Sequence, residues 1–164
     1  MEENERIDFL EKNLSRQLVW ISAADSKASF VFAITTAMLG VLVVLMPKAF
    51  NGWTLAAIMF ASVAATFELI TLLFLSIATF PRTKGPMGSL IYCGGITQID
   101  DTQFKDTVCK LSRGSYIDDL CLQCHRNAEI ASRKFLWVQR ALIALYLSVI
   151  PWTFALYLLY SLPK

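Results

Sequence analysis

The 164-residue chain has one histidine, His125, and it has neither a P-loop sequence nor a pair of acids in a predicted cleft. A lone histidine without a supporting serine and aspartate does not make a hydrolase triad, and the phosphate-binding loop of nucleotide hydrolases is missing. We therefore expect no enzymatic activity and no cofactor. Internal repeats and low-complexity tracts are also lacking, so the hydropathy pattern is the most informative feature of the chain.

Charge is almost absent from three long stretches. Residues 28–46 and 141–162 carry none, and residues 53–80 carry only Glu68, in a chain that is 55% hydrophobic. Each stretch reaches the ~20 residues that cross ~30 Å of hydrocarbon, so we predict three transmembrane helices. Ten charges precede the first stretch, which is not the pattern of a cleavable signal peptide.

Basic residues are distributed unevenly around the predicted spans. Four lie before the first span and nine lie in residues 81–140, whereas the turn after the first span has only Lys48 and the C-terminal tail only Lys164. Short loops that are rich in lysine and arginine stay in the cytoplasm. We therefore expect a multi-pass membrane protein with a cytoplasmic N-terminus, a cytoplasmic 81–140 segment and a C-terminus outside.

Helix-breaking residues are rare on the cytoplasmic side of the first and last spans. Residues 3–46 contain no proline and one glycine, Gly40, which favours a single helix of roughly 44 residues and ~66 Å, about twice the hydrocarbon thickness. Residues 116–160 contain only Pro151 as a breaker. The predicted fold is an all-α membrane protein with three transmembrane helices, of which the first and last extend as long helices into the cytoplasm.

These patterns divide the chain into six segments. They are a cytoplasmic amphipathic helix at 1–27, spans at 28–46, 53–80 and 141–162, a cytoplasmic connection at 81–115 and a cytoplasmic helix at 116–140. Within the connection, residues 96–116 favour a short helix that ends at Gly114.

Each predicted cytoplasmic helix carries an apolar stripe with steps of three and four residues. The first stripe is Ile7, Leu10, Leu14, Leu18 and Ile21, and the second is Leu120, Cys124, Ala128, Ala131, Phe135 and Val138. We expect the two stripes to pack against each other, either within one chain or between subunits.

Residues 121–125 read Cys-Leu-Gln-Cys-His, which is the attachment pattern of a c-type haem. The predicted cytoplasmic location argues against haem, because haem is attached on the outer face of the membrane and cytoplasmic thiols are kept reduced. A structural zinc site usually needs two close ligand pairs, and Cys121 with Cys124 is the only one. We expect reduced thiols on a helix face, and the sequence assigns this stretch no role.

Two residues within the spans are candidates for assembly or a pore. A carboxylate inside a span is expensive, so Glu68 either lines or gates a pore, or is protonated and holds two helices together. Gly40 lies on a face of small residues, which permits close helix contact within the subunit or between subunits. The other residues of this face are Ser29, Ala33, Thr36 and Ala37.

Charged residues also lie at the predicted cytoplasmic boundary of the membrane. Lys27 can extend to the headgroups, as long basic side chains do at helix ends. Asp25 needs a cation, and Lys27 points away from it because the two are only two residues apart on a helix. The candidate partners of Asp25 are Arg82, Arg133 and Lys134.

The predicted cytoplasmic segments also contain parts that suit a nucleotide. Basic residues and glycine-rich turns can hold a phosphate, and aromatic side chains can stack on a base. The aromatic candidates are Tyr92, Phe104 and Tyr116.

Three short motifs occur in order around the spans: DSKAS at 25–29, FPR at 80–82 and NAEIASRKFLWVQRAL at 127–142. In this order they resemble the transmembrane effectors of bacterial Pycsar anti-phage systems. The resemblance covers most of the chain, whereas the cysteine-rich segment 109–125 matches no motif of that family.

The resemblance implies an effector in the bacterial inner membrane that senses a cyclic pyrimidine mononucleotide, cUMP or cCMP. Such an effector disrupts or permeabilises the membrane and causes abortive infection. Its expected partners are the nucleotide, membrane lipid and further copies of the chain, without nucleic acid. The alternative is a passive membrane scaffold or assembly subunit that docks a protein partner through its cytoplasmic helices.

Carried over by position, the resemblance points to Asp25, Lys27, Ser29, Pro81, Arg82, Asn127, Ile130 and Lys134. Arg133 is added because it is a candidate partner of Asp25 at the membrane boundary. The expected ligand-binding or triggering residues are then Asp25, Lys27, Arg82, Asn127, Arg133 and Lys134. The expected residues for membrane assembly or a pore are Gly40 and Glu68.

Overall fold

A computed structural model describes residues 2–47, 53–81, 85–86 and 88–161. Within these ranges the chain forms five helices and no strand. The helices are α1 (Glu3–Leu45), α2 (Leu55–Thr79), α3 (Cys93–Ile96), α4 (Asp101–Cys109) and α5 (Arg113–Ser161). Since α1, α2 and α5 are long and apolar enough to cross a membrane, the predicted all-α fold with three spans is confirmed.

Helices α1 and α5 are the two long terminal helices that the sequence predicts, with 43 and 49 residues. Pro151 lies inside α5 and does not end it. Proline removes one backbone donor, but membrane spans tolerate it where neighbouring groups compensate. Helix α5 begins at Arg113, three residues before the predicted start.

Helix α4 is the short helix predicted within residues 96–116. Asp100 caps it, because its side chain accepts a backbone hydrogen bond at 2.7 Å from the first turn. The prediction that Gly114 ends this helix is wrong, since Gly114 lies in the first turn of α5. The Ser112 hydroxyl accepts a hydrogen bond from the Ser115 N–H at 3.1 Å, so a serine cap starts α5 before the glycine is reached.

The chain forms two compact units. Unit 1 comprises Met1–Ala24 and Pro81–Arg133, and unit 2 comprises Asp25–Phe80 and Lys134–Lys164. Unit 1 therefore contains the first part of α1, the first part of α5 and the short helices α3 and α4. Unit 2 contains α2 and the remainder of α1 and α5.

The buried residues of α2 recur at alternating steps of four and three, and we call such a row of buried positions a seam. They are Ala57, Ala61, Ala64, Glu68, Thr71, Leu75 and Ala78. A mean step of 3.5 residues is typical of helices that pack side by side with a slight left-handed supercoil. Four of these residues are alanines, which let neighbouring backbones approach closely in lipid.

In unit 2, α1 and α5 follow the same alternation. The buried residues in this alternation are Ala28, Val31, Thr35 and Leu42 on α1, and Val138, Ala141, Leu145, Ser148, Ala155 and Leu159 on α5; Ala144 is also buried, beside Leu145. Met38 and Trp152 fill the two intervening positions and are partly buried. The Trp152 Nε1–H donates to the Met38 carbonyl at 3.1 Å, which joins α5 to α1.

The apolar stripes predicted for the cytoplasmic helices are partly wrong. Three of their residues are exposed: Leu18, Ala128 and Phe135. The seam positions beside them are occupied by polar residues: Gln17, Asn127 and Lys134. A pattern search that counts only apolar residues passes over a polar side chain at a seam position and selects its apolar neighbour instead.

Candidate functional site

Asp25 and Lys134 form an ion pair in unit 2. The Lys134 ammonium donates to the two carboxylate oxygens of Asp25 at 2.6 and 2.7 Å. The Lys134 side chain is 14% exposed, whereas that of Asp25 is 45% exposed. Hydrogen bonds between charged groups at this distance are stronger than neutral ones. Of the three partners predicted for Asp25, the structure shows Lys134.

The other predicted triggering residues near the membrane boundary have different surroundings. Lys27 is exposed and borders a small cavity of about 280 Å³, together with Phe30 and Leu142. Among the described residues it has no ion-pair partner. In unit 1, Arg133 is exposed, and Arg82 lies outside the described residues. The structure therefore joins only Asp25 and Lys134 of this predicted set.

Asn127 lies in a group of buried amides in unit 1. It is 5% exposed and accepts a hydrogen bond from Gln123 Nε2 at 3.3 Å. Gln17 and Gln123 are 5% and 6% exposed. Within the described part of the chain, the side-chain oxygen of neither glutamine has a hydrogen-bond partner. Buried amides on packed helices can fix the helix register at a cost in stability.

Two polar contacts hold the start of α5 to α1 in unit 1. The Arg113 guanidinium donates to Asn4 Oδ1 at 3.2 Å, and the Tyr116 hydroxyl donates to Glu11 Oε1 at 2.7 Å. The hydrogen bond to the Glu11 carboxylate, together with partial burial, raises the pKa of Tyr116 to about 12. The Tyr116 hydroxyl therefore has a structural partner on α1.

The two thiols of the Cys-x-x-Cys-His stretch lie in different surroundings. Cys121 is exposed and Cys124 is buried, where its thiol donates to the Leu10 carbonyl at 3.5 Å. Burial raises the pKa of the Cys124 thiol. The described residues contain no group of three or more histidine, cysteine, aspartate or glutamate side chains that could hold a metal. Cys124 therefore acts as a packing residue between α5 and α1.

Unit 1 also contains an open cavity of about 940 Å³ beside α4 and the first turns of α5. Its wall has five hydroxyl side chains and one lysine, Lys110, against four aspartates: Asp100, Asp106, Asp118 and Asp119. None of the three predicted stacking residues lines it. An anionic phosphate gains little from a wall of this charge, so we do not assign the phosphate of a nucleotide to this cavity.

The small-residue face of α1 is open within the subunit. Gly40 and the four other small residues of this face are exposed, and a Cβ added at Gly40 would meet nothing within 4 Å. Of the two predicted uses, packing within the subunit has no support among the described residues, and association between subunits stays a prediction. A helix face of small residues suits close contact with another membrane helix.

Glu68 is fully buried in unit 2. Neither of its carboxylate oxygens has a hydrogen-bond partner among the described residues, so no hydrogen bond there joins two helices through Glu68. Thr71, which the sequence places on the small and polar surface around Glu68, is also fully buried, and the sequence reasoning missed the two remaining fully buried polar residues of the spans, Thr35 and Ser148. These residues could have been found from the sequence because they lie at the alternating steps of three and four residues that separate the buried positions.

The model of one protein family, described as the Pycsar effector protein domain, matches residues 9–161. The match includes most of α1, all of α2 and the whole of α5, and so the ion pair and Glu68. No curated protein matches the chain. No solved structure matches it either. With three helices that can span a membrane, the chain is a membrane protein, and it belongs to the Pycsar effector family, whose role is that of an effector in anti-phage defence.

Proposed function

We propose that this chain responds to a cyclic pyrimidine mononucleotide, cUMP or cCMP, by disrupting or permeabilising the bacterial inner membrane. The loss of the membrane barrier then causes abortive infection. The family match over residues 9–161 and the three long apolar helices support this proposal. The chain acts through its spans and catalyses no reaction.

The N-terminus and residues 81–140 lie in the cytoplasm, and the C-terminus lies outside. The uneven distribution of lysine and arginine supports this orientation. Exposed Cys121 provides a test with a membrane-impermeant thiol reagent. It should be labelled in inside-out vesicles and protected in intact spheroplasts, and labelling in spheroplasts would contradict the orientation.

The ion pair between Asp25 and Lys134 carries the triggering half of the proposal. A nucleotide phosphate is an anion that can replace the Asp25 carboxylate on the Lys134 ammonium. Because the Asp25 side chain is 45% exposed and that of Lys134 only 14%, the carboxylate can turn towards water, whereas the ammonium needs a replacement partner. The exchange removes a bond between α1 and α5.

Loss of this bond changes how the helices of unit 2 pack. Helices α1 and α5 each continue without a break from the pair into their apolar residues, so each can move as a rigid body. The nucleotide shifts the equilibrium only as far as it binds the active arrangement more tightly. The phosphate binds the active arrangement more tightly, because Asp25 competes with it for Lys134 only in the resting arrangement.

The remaining predicted triggering residues assist this exchange. Exposed Lys27 and Arg133, together with Arg82, attract the anionic ligand to the membrane boundary. Buried Asn127 keeps α5 in register within unit 1. Active subunits associate through the small-residue face around Gly40, because that face is exposed in the described part of the chain.

Variants of the ion pair test the proposal in cells that receive the nucleotide. Lys134→Ala removes both the resting bond to Asp25 and the charged group that holds the phosphate. The nucleotide should then change growth arrest roughly tenfold less than in the unmodified chain, as expected for the loss of ~1.5–3 kcal/mol from a hydrogen bond to a charged group. Asp25→Asn weakens the competitor, and growth arrest should therefore need less nucleotide.

The matched control is Lys12→Ala, because Lys12 also forms an ion pair with an aspartate, but its side chain is 64% exposed. This variant should respond as the unmodified chain does. Unchanged nucleotide dependence in Lys134→Ala, at equal protein levels in the membrane, would show that the ion pair is not the trigger.

A further inference from the structure

Glu68 is the only charged residue in the described parts of the three spans, residues 28–46, 53–80 and 141–161. It lies near the middle of α2, and it is fully buried in unit 2 instead of facing lipid. Both carboxylate oxygens lack a hydrogen-bond partner within the described chain. A buried carboxyl group without a partner is costly, so this residue reduces the stability of the arrangement in which it is enclosed.

Glu68 is one of the four fully buried polar residues of the three spans, which we call the polar layer. The other members are Thr35 on α1, Thr71 on α2 and Ser148 on α5, and all are fully buried. Along the sequence of every span, the residues of one apolar cluster precede the polar layer and the residues of another follow it. The first cluster is Ala28, Val31, Leu75, Ala78, Val138, Ala141 and Leu145, and the second is Leu42, Ala57, Ala61, Ala64, Ala155 and Leu159.

The hydroxyl hydrogens of the layer are already used. Thr35 donates to the Val31 carbonyl at 2.8 Å, and Ser148 donates to the Leu145 carbonyl at 2.7 Å. Thr71 donates to a carbonyl of its own helix at 2.9 Å. Their oxygen lone pairs, together with the two carboxylate oxygens of Glu68, are therefore what the layer can offer to a ligand. Oxygen acceptors without donors bind cations and do not bind anions.

We propose that the membrane leak is a cation-selective pathway whose narrowest part is lined by this polar layer, with Glu68 as the residue that selects charge. The inference rests on the proposed function, since a pathway exists only if the active chain permeabilises the membrane. When the three spans separate, water reaches Glu68 and relieves its enclosure. The hydrated carboxylate then attracts monovalent cations and repels anions, as acidic rings do in cation channels.

The test uses the purified full-length chain in a planar lipid bilayer with a potassium chloride gradient. Cyclic UMP and cyclic CMP are added separately, and the reversal potential of the induced current gives the ratio of potassium to chloride permeability. The chain should pass potassium several-fold better than chloride. Glu68→Gln keeps the size of the side chain and removes its charge, so the ratio should fall towards one, while the induced current still requires a nucleotide.

The matched control is Thr66→Ala on the exposed side of the same helix, which should keep the selectivity. If Glu68→Gln gives no current, the selectivity is measured in Glu68→Asp, because aspartate keeps the negative charge. A cation-selective current in Glu68→Asp supports the inference, and a current without selectivity overturns it.

Two further results would overturn the inference and leave the proposed function standing. One is a nucleotide-induced current that carries potassium and chloride equally in the unmodified chain. The other is a potassium preference that Glu68→Gln leaves unchanged. Absence of current with both nucleotides, from inserted and folded protein, would instead overturn the proposed function and the pathway with it.

Discussion

The hydrogen bond between Tyr116 and Glu11 shows that a side chain of a type that suits ligand binding can instead stabilise the fold. The Tyr116 hydroxyl donates at 2.7 Å to a carboxylate of α1, so a residue that the sequence offers for base stacking also holds α5 to α1. The same holds for Cys124, whose buried thiol contacts α1. Residue type alone cannot distinguish these uses, because the distinction depends on which helix lies beside the side chain.

The Tyr116 bond predicts a pH dependence. Its pKa is raised from an ordinary value of 10.0 to about 12, and the protonated phenol is the donor. Its contribution to the stability of unit 1 is therefore complete below pH 10 and is lost as the pH rises through about 12. Glu11→Gln should move the tyrosinate titration of Tyr116 towards 10. The measurement is ultraviolet absorbance against pH, with Tyr116→Phe subtracted.

Glu3→Gln is the control, since Glu3 lies on the same helix and is exposed. It should leave the titration of Tyr116 unchanged. An unaltered titration in Glu11→Gln would show that the bond does not form in solution.

Buried polar residues at the contacts between the long helices lower the free energy of unfolding when their polar atoms have no partner. Gln17 is 5% exposed, and its side-chain oxygen has no partner in the described residues. Gln17→Met keeps the length of the side chain and removes the unpaired oxygen, so the free energy of unfolding should rise by about 1 kcal/mol. Thermal unfolding in detergent measures it.

Leu18→Met is the matched control, because Leu18 is the next residue and is 55% exposed. It should change the unfolding temperature little. If Gln17→Met lowers the stability instead, the Gln17 oxygen must have a partner in the folded protein that these contacts do not include.

The long helices were predictable from the sequence because proline and glycine are rare in them and their apolar runs are unambiguous. The seams were predictable only in part. Glu68 stood out because it is the one charge in an apolar run, and Asp25 stood out because its sequence neighbour cannot neutralise it. The buried positions of Gln17 and Asn127 were missed, since a hydrophobic pattern gives a polar residue no weight even where the geometry of packing buries it.

The small-residue face of α1 predicts self-association. A larger side chain at Gly40 meets nothing within the subunit, so Gly40→Leu should leave the monomer folded while it blocks close contact with a second helix. Chemical cross-linking in lipid, with nucleotide present, should show a lower yield of oligomers. Val43→Leu, at an exposed position of the same helix, is the control, and equal cross-linking in both variants would exclude the face around Gly40.

In the proposed function, the 164-residue chain is both the sensor of the nucleotide and the element that opens the membrane. The chain achieves this because α1 and α5 each have residues in both compact units. A change at the Asp25–Lys134 pair is therefore made on helices that also form the spans, and no separate linker is needed. A passive scaffold would use the same helices to dock a partner, but it would not need an unpaired carboxyl group inside its spans.

Leakage of a dye or of ions from liposomes that contain the purified chain would show whether the nucleotide opens the membrane. Each of the four 3′,5′-cyclic mononucleotides is added separately at equal concentration. The account predicts leakage with cUMP or cCMP and none with the two purine nucleotides. Intact liposomes with all four, from protein shown to be folded and inserted, would contradict it and favour a scaffold that acts through a protein partner.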